Sequence, residues 1–184
     1  TSLQGTYKRF GDFETPDYIL SNSGLIDQSA SFQIGLNKVN YGFEFFISTV
    51  NNDIGIIRAS HLHAASDQLR AIKSNQPWYI EPFTYKINPP FQEVKHNIAK
   101  FKIFKRFQDF GKLTFQYHFQ DNKRLEFDVR RGKYKNIPAT NLRLKTHTIM
   151  LDFDSDFLNV FDFNYGIKVE FQNNFPSPDT GIKR

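Results

Sequence analysis

The sequence contains no cysteine, which removes any disulfide framework and any thiolate metal site. It also lacks long apolar runs. The longest are a few residues, well short of the roughly 20 that a membrane-crossing helix requires. This does not exclude a membrane protein, because a transmembrane barrel gives a much weaker signal per segment. The N-terminal stretch TSLQGTYKRF has no apolar core of a secretory leader. An exported protein with this start has lost its leader, or the sequence begins partway into a longer one. No P-loop, Ser-His-Asp elbow or zinc helix occurs. Asp109-Phe110-Gly111 matches a kinase tripeptide, but without a Gly-rich loop or catalytic loop it reads as a turn. Carboxylates are plentiful, yet nothing pairs two of them in an identifiable pocket. The expectation is therefore not an enzyme, with no cofactor and no metal.

Charge gives little direction. The net charge is +5 and the pI about 9.3, but the basic residues are spread out, which speaks against nucleic acid as a partner. What the chain has in quantity is aromatic side chains: 21 Phe, 8 Tyr and 1 Trp. The mean hydropathy is nevertheless −0.53, so these side chains are interleaved with polar ones. The 184 residues are enough for one domain.

The interleaving is clearest in Lys112–Arg130, KLTFQYHFQDNKRLEFDVR. Every even position is polar. The odd positions are apolar except Asp121 and Lys123. Side chains on a strand alternate faces with period 2, so one face is aromatic and the other can bind water. A helix, with its period of 3.6, would mix the two sets. At about 3.3 Å per residue this segment extends roughly 60 Å, against the 3–10 residues usual in soluble domains. That length suits a barrel wall that crosses a bilayer and continues above it.

Six more strands are expected. Ser2–Phe10 is the first, followed by a loop over Gly11–Gly24. Ser29–Asn37 is the second, with a tight turn around Asn37–Asn40. Tyr41 to about Ile57 is the third, with Phe46 misplaced on its polar face. Arg58–Pro90 has no strand alternation, and Pro77, Pro82, Pro89 and Pro90 suit a folded loop. Within it, Ser66–Ser74 is predicted as a short helix capped by Ser66, with Leu69 and Ile72 on one face. Gln92–Arg106 is the fourth strand. Its apolar positions shift from even (Val94, Ile98) to odd (Phe101, Ile103), which predicts a bulge. Phe107–Gly111 is a tight turn, and the fifth strand is Lys112–Arg130. After the basic loop Arg131–Ile137 comes the sixth strand, Ala139–Phe153, with a parity change near Thr146. Asp154–Phe157 is a turn and Leu158–Asn173 the seventh strand. Connections after the second, fourth and sixth strands are short, and those after the first, third and fifth are longer. That order matches the tight turns and long external loops of an outer-membrane barrel, more than a soluble sandwich.

Several stretches carry a resemblance: RFGDFETPDYILSNSG (Arg9–Gly24), QEVKHNIAK (Gln92–Lys100), FQDNKRLEFDVRRG (Phe119–Gly132), IPATNLRLKTHT (Ile137–Thr148) and QNNFPSPDTGIKR (Gln172–Arg184). In these, and in their order, the chain resembles the barrel region of TonB-dependent outer-membrane receptors. The resemblance implies a barrel of about 22 strands with its lumen plugged. Such a receptor sits in the outer membrane of a Gram-negative cell. It imports a scarce nutrient, typically a siderophore-iron complex, cobalamin or a glycan, and the inner-membrane protein TonB pulls on the plug. The implied partners are outer-membrane lipid, the rest of the barrel with its plug, TonB through that plug, and the nutrient. This chain carries no plug and no terminal aromatic strand, so residues 1–184 are expected to be a partial barrel, an interior slice. A slice leaves two unpaired edge strands.

Candidate substrate-binding residues fall in the long connections. Trp78 and Tyr79 offer rings with a polar handle for stacking on a ligand, or else they pack the loop or anchor an interface. Arg58 pairs with an anionic substrate or with an acid across the barrel. His61 and His63 share a face if extended, but no ligand set completes a metal shell around them; they line the loop. Arg130 and Arg131, with Lys133 and Lys135, either meet an anionic ligand or lipopolysaccharide phosphates, or are solvated. Gln116, His118 and Gln120 are expected to face the lumen.

The expected fold is all-β: about seven consecutive up-and-down antiparallel strands forming part of a transmembrane β-barrel, with one short helix in a long external loop. The expected function is that of part of a receptor for active, TonB-energised nutrient uptake. The alternative is a soluble β-barrel or sandwich with the aromatic faces turned inward around a small apolar ligand. A structural or adhesive outer-membrane barrel is a third reading.

Overall fold

The computed structural model describes residues 1–60, 65–108, 110–130, 132–134, 136–157 and 161–177. Alternation of small or branched polar residues with aromatic ones keeps most of this chain extended. The strands in chain order are β1 (Ser2–Phe10), β2 (Phe13–Glu14), β3 (Ile19–Leu20), β4 (Leu25–Asn37), β5 (Tyr41–Gly55), β6 (Phe91–Phe107), β7 (Gly111–Phe127), β8 (Thr140–Phe157) and β9 (Phe161–Ser177). Seven of them form one antiparallel sheet in the order β1-β4-β5-β6-β7-β8-β9. Each strand pairs with its sequence neighbour, an up-and-down meander whose edges are β1 and β9. The small ladder β2-β3 lies inside the first long connection. The one α-helix among the described residues, α1, spans Ala65–Ile72 in the second long connection. All-β architecture with seven antiparallel strands and one short helix is therefore as expected from the sequence.

Several boundaries differ: the fourth sheet strand runs Phe91–Phe107, the fifth stops at Phe127 rather than Arg130, and the seventh runs Phe161–Ser177 rather than Leu158–Asn173. The second sheet strand starts at Leu25, not Ser29, because Leu25–Gln28 pair with β1 on one side and β5 on the other despite the polar Asp27. The third ends at Gly55 rather than Ile57. Asp154–Phe157 is not a turn but the end of β8, where its backbone continues the ladder with β9. The last connection falls at 158–160, outside the described residues. Helix α1 begins at Ala65, so Ser66 lies inside its first turn and does not cap it, and Leu69 and Ile72 are exposed.

The bulge expected in the fourth strand is absent. β6 keeps one register against β5 and against β7 over its whole length, and β8 likewise keeps one register against β7 through Thr146. The parity shift has another cause. Ile34, Phe45, Phe101, Tyr117, Ile149 and Val169 lie opposite one another on six neighbouring strands. Leu36, Phe43, Ile103, Phe115, Leu151 and Ile167 form the adjacent row toward the short turns. Phe32, Ile47, Ala99, Phe119, His147 and Phe171 form the row on the other side. The next row up is Ala30, Thr49, Asn97, Asp121, Lys145 and Asn173, and the one beyond is Gln28, Asn51, Lys95, Lys123, Arg143 and Phe175. One face thus changes from apolar to polar between Phe119 and Asp121 without any slip of register. Beyond that border Val94, Leu142 and Leu144 occupy the opposite face, so the apolar parity swaps while the backbone runs on.

We call the face of Phe115 and Tyr117 the aromatic face and that of Gln116 and His118 the polar face. Phe46 and Phe104 are aromatic exceptions on the polar face, and Lys100 and Lys112 lie over their rings at 5.8 and 5.4 Å. Among the described residues no large apolar side chain is buried in a core. Ile149 and Leu151, on the interior strand β8, remain 39% and 43% exposed. The buried side chains of the sheet are instead Thr114, Thr146 and Thr148, all on the polar face.

Candidate functional site

The long connections leave the sheet at the end where the aromatic face has become polar. Two of them, 11–24 and 56–90, are locked together by buried polar side chains. The Asp12 carboxylate accepts hydrogen bonds from the backbone N–H of Ser23 (3.1 Å) and of Thr84 (3.2 Å). The Ser21 hydroxyl accepts from Glu81 N–H at 2.6 Å. The Asn22 amide donates to the carbonyls of Ile56 (2.9 Å) and Pro90 (2.8 Å), and its oxygen accepts from Asn88 N–H at 2.8 Å. Asn22 adopts a positive φ of 65°, a conformation that asparagine tolerates better than most residues. Asp12, Ser21 and Asn22 are each 5% exposed or less. Buried polar groups so fully partnered rigidify what they join. Close approach is helped by Gly11, where a Cβ would run into the Phe83 ring.

On this base the aromatic and basic residues of the loop form cation–ring pairs. Arg58 lies 4.2 Å from the centre of the Tyr79 ring and 3.5 Å from the Glu81 carboxylate. Arg70 lies over Trp78 at 4.9 Å, and Arg9 over Tyr85 at 5.3 Å. Tyr85 in turn meets Phe83 edge-on at 5.2 Å. Each pair is worth about 0.5–1 kcal/mol at an exposed site, so they orient the rings without burying them. Trp78 and Tyr79 stay 43% and 41% exposed. Trp78 also borders a shallow cavity of about 310 Å³ with Tyr18, Ile57, Ala71, Ser74 and Pro77. The arrangement offers flat rings and guanidinium planes to a ligand.

Arg58, Trp78 and Tyr79 are thus in one loop, with Arg58 bonded to an acid of that same loop. Arg130 is exposed just beyond β7, in the connection that leads to β8. Lys133 belongs to the short 3-10 turn Gly132–Tyr134. His61, His63, Arg131 and Lys135 lie outside the described residues. Gln116, His118 and Gln120 share the polar face, where Gln116 donates to Asp152 at 3.3 Å and His118 sits opposite Thr148. Among the described residues no three His, Asp or Glu side chains cluster to hold a metal. Sequence reading missed Asp12, Ser21 and Asn22, which look like ordinary turn residues; only their density in GDFETPDYILSNSG marked the segment. No family model, no curated protein and no solved structure matches this chain.

Proposed function

We propose that these residues form a section of the barrel wall of a Gram-negative outer-membrane receptor of the TonB-dependent class, serving active uptake of a siderophore-iron complex, cobalamin or a glycan. The observation that carries this reading is the border on the aromatic face. From Gly111 to Phe119 that face is apolar over nine residues, about 26 Å of strand, in line with the roughly 9–11 tilted residues with which a barrel strand crosses a bilayer. A hydrocarbon neighbour explains why so many large side chains are left uncovered, since burying each contributes about 1.5–3 kcal/mol. The buried threonines on the polar face fit a curvature that turns this face toward a lumen. A sandwich would instead cover one face of the sheet with a second. The locked loop presenting Trp78, Tyr79 and Arg58 then meets the nutrient at the cell surface, and the plug, TonB and the remaining strands are the partners. The test is growth on a limiting nutrient after deletion of the gene that encodes this chain. Loss of growth on one nutrient, restored by a plasmid copy, is expected; unchanged growth on every scarce iron, cobalamin and glycan source overturns the reading.

A further inference from the structure

The row just past the border is chemically odd. Lys95, Lys123 and Arg143 stand directly opposite one another on β6, β7 and β8, all on the aromatic face. Like charges in directly opposite positions destabilise a sheet. Lys145 lies in the adjacent row, next to Arg143 on β8. The carboxylate in the row of Lys145, Asp121, stands directly opposite it and is engaged by Arg143 at 2.6 and 2.8 Å. Glu93 lies one row further, directly opposite Asp53. Lys95 is exposed. An anion laid across the row would relieve the repulsion.

We propose that Lys95, Lys123 and Arg143, with Lys145, hold the phosphates of an outer-leaflet lipid headgroup. This rests on the membrane reading above: the row stands one step beyond Asp121, at the height where an apolar band gives way to headgroups. Basic clusters at that level attract anionic lipids. Three strands place the outer cations about 10 Å apart, wider than a single phosphate reaches. The headgroup is therefore one bearing more than one phosphate, as a bisphosphorylated disaccharide glycolipid does. Its acyl chains would run down the rows of Phe119, Tyr117 and Phe115.

The test uses the full natural protein in bilayer discs, wild type and the double variant Lys95→Gln/Lys123→Gln, which leaves the Asp121–Arg143 pair intact. Retained lipid is counted by native mass spectrometry with bisphosphorylated glycolipid, phosphatidylglycerol or inorganic phosphate as the probe. The expected result is glycolipid retention by the wild type that falls about 10- to 30-fold in the variant and weakens with salt. Equal retention by the variant overturns the proposal, as does equal retention of phosphatidylglycerol or displacement by inorganic phosphate at equal concentration. A nitroxide lipid that quenches a label at Phe115 separates the two ideas. Quenching with unchanged glycolipid retention sinks the headgroup site alone, and no quenching sinks the membrane reading with it.

Discussion

Asp121 receives both nitrogens of the Arg143 fork, Nε at 2.8 Å and Nη2 at 2.6 Å, diagonally from β7 to β8. The pair lies one row beyond Phe119, outside the proposed membrane-crossing rows. Bidentate pairing of this kind is geometrically specific as well as charge-assisted. The hydrogen bonds from Arg143 hold the Asp121 carboxyl below its ordinary value, with Lys145 and Lys123 adding in the same direction.

A pH dependence follows from that depression. A carboxylate whose folded value is lowered contributes stability that is complete above its unfolded value and is lost as pH falls through the folded one. Unfolding measured from pH 6 downward is expected to show a loss beginning near the ordinary carboxylate range and deepening below it. Asp121→Asn should remove this component and flatten the acid limb. Superimposable acid limbs for wild type and variant would show that the pair contributes nothing to stability.

Asn22 is the second test. Asn22→Ala removes two donors and one acceptor from a buried junction, at a cost of about 1–3 kcal/mol for each partner left unsatisfied. Hydrogen exchange at Asn88 and through 81–90 is expected to quicken, while the paired amides of β7 and β8 stay protected. Unchanged exchange at Asn88 would mean that the two loops hold together by other means.

The exposed rings supply a third. On the proposed reading, Trp78→Ala is expected to weaken nutrient binding roughly 2- to 12-fold without lowering the amount of folded protein. Titration of the purified natural protein with its growth-supporting nutrient measures this. An unaltered affinity would assign Trp78 to loop packing against Arg70.

Much of the fold was legible because alternation is a local signal: Ser2–Phe10 is where the sequence places it, and the strand expected over Lys112–Arg130 runs Gly111–Phe127. The misreadings share one cause. The parity of Val94, Ile98 and Thr146 suggests slips of register, but what changes beyond Phe119 is the type of residue each face carries, not the pairing. Asp154, Ser155 and Asp156 resemble a turn in composition, yet the ladder with β9 runs through them. The site was legible in part. Trp78, Tyr79 and Arg58 stand out by residue type, whereas the partners of Asp12, Ser21 and Asn22, apart from the nearby Ser23, are 34 to 72 residues away along the chain, and no local pattern encodes them. The cation row was hidden likewise, since only the register brings Lys95, Lys123 and Arg143 side by side.

Depth-dependent quenching tests the central claim most directly. This chain has no cysteine, so once any cysteine elsewhere in the natural protein is replaced, single cysteines at Phe115, Gln116, Met150 and Leu151 can each carry a fluorophore in that protein reconstituted into a bilayer. The account predicts that a lipid-soluble nitroxide quenches positions 115 and 151 strongly and their neighbours 116 and 150 weakly, with aqueous iodide giving the reverse order. Strong iodide quenching at 115 and 151, or equal quenching at all four, would contradict an aromatic face turned to hydrocarbon.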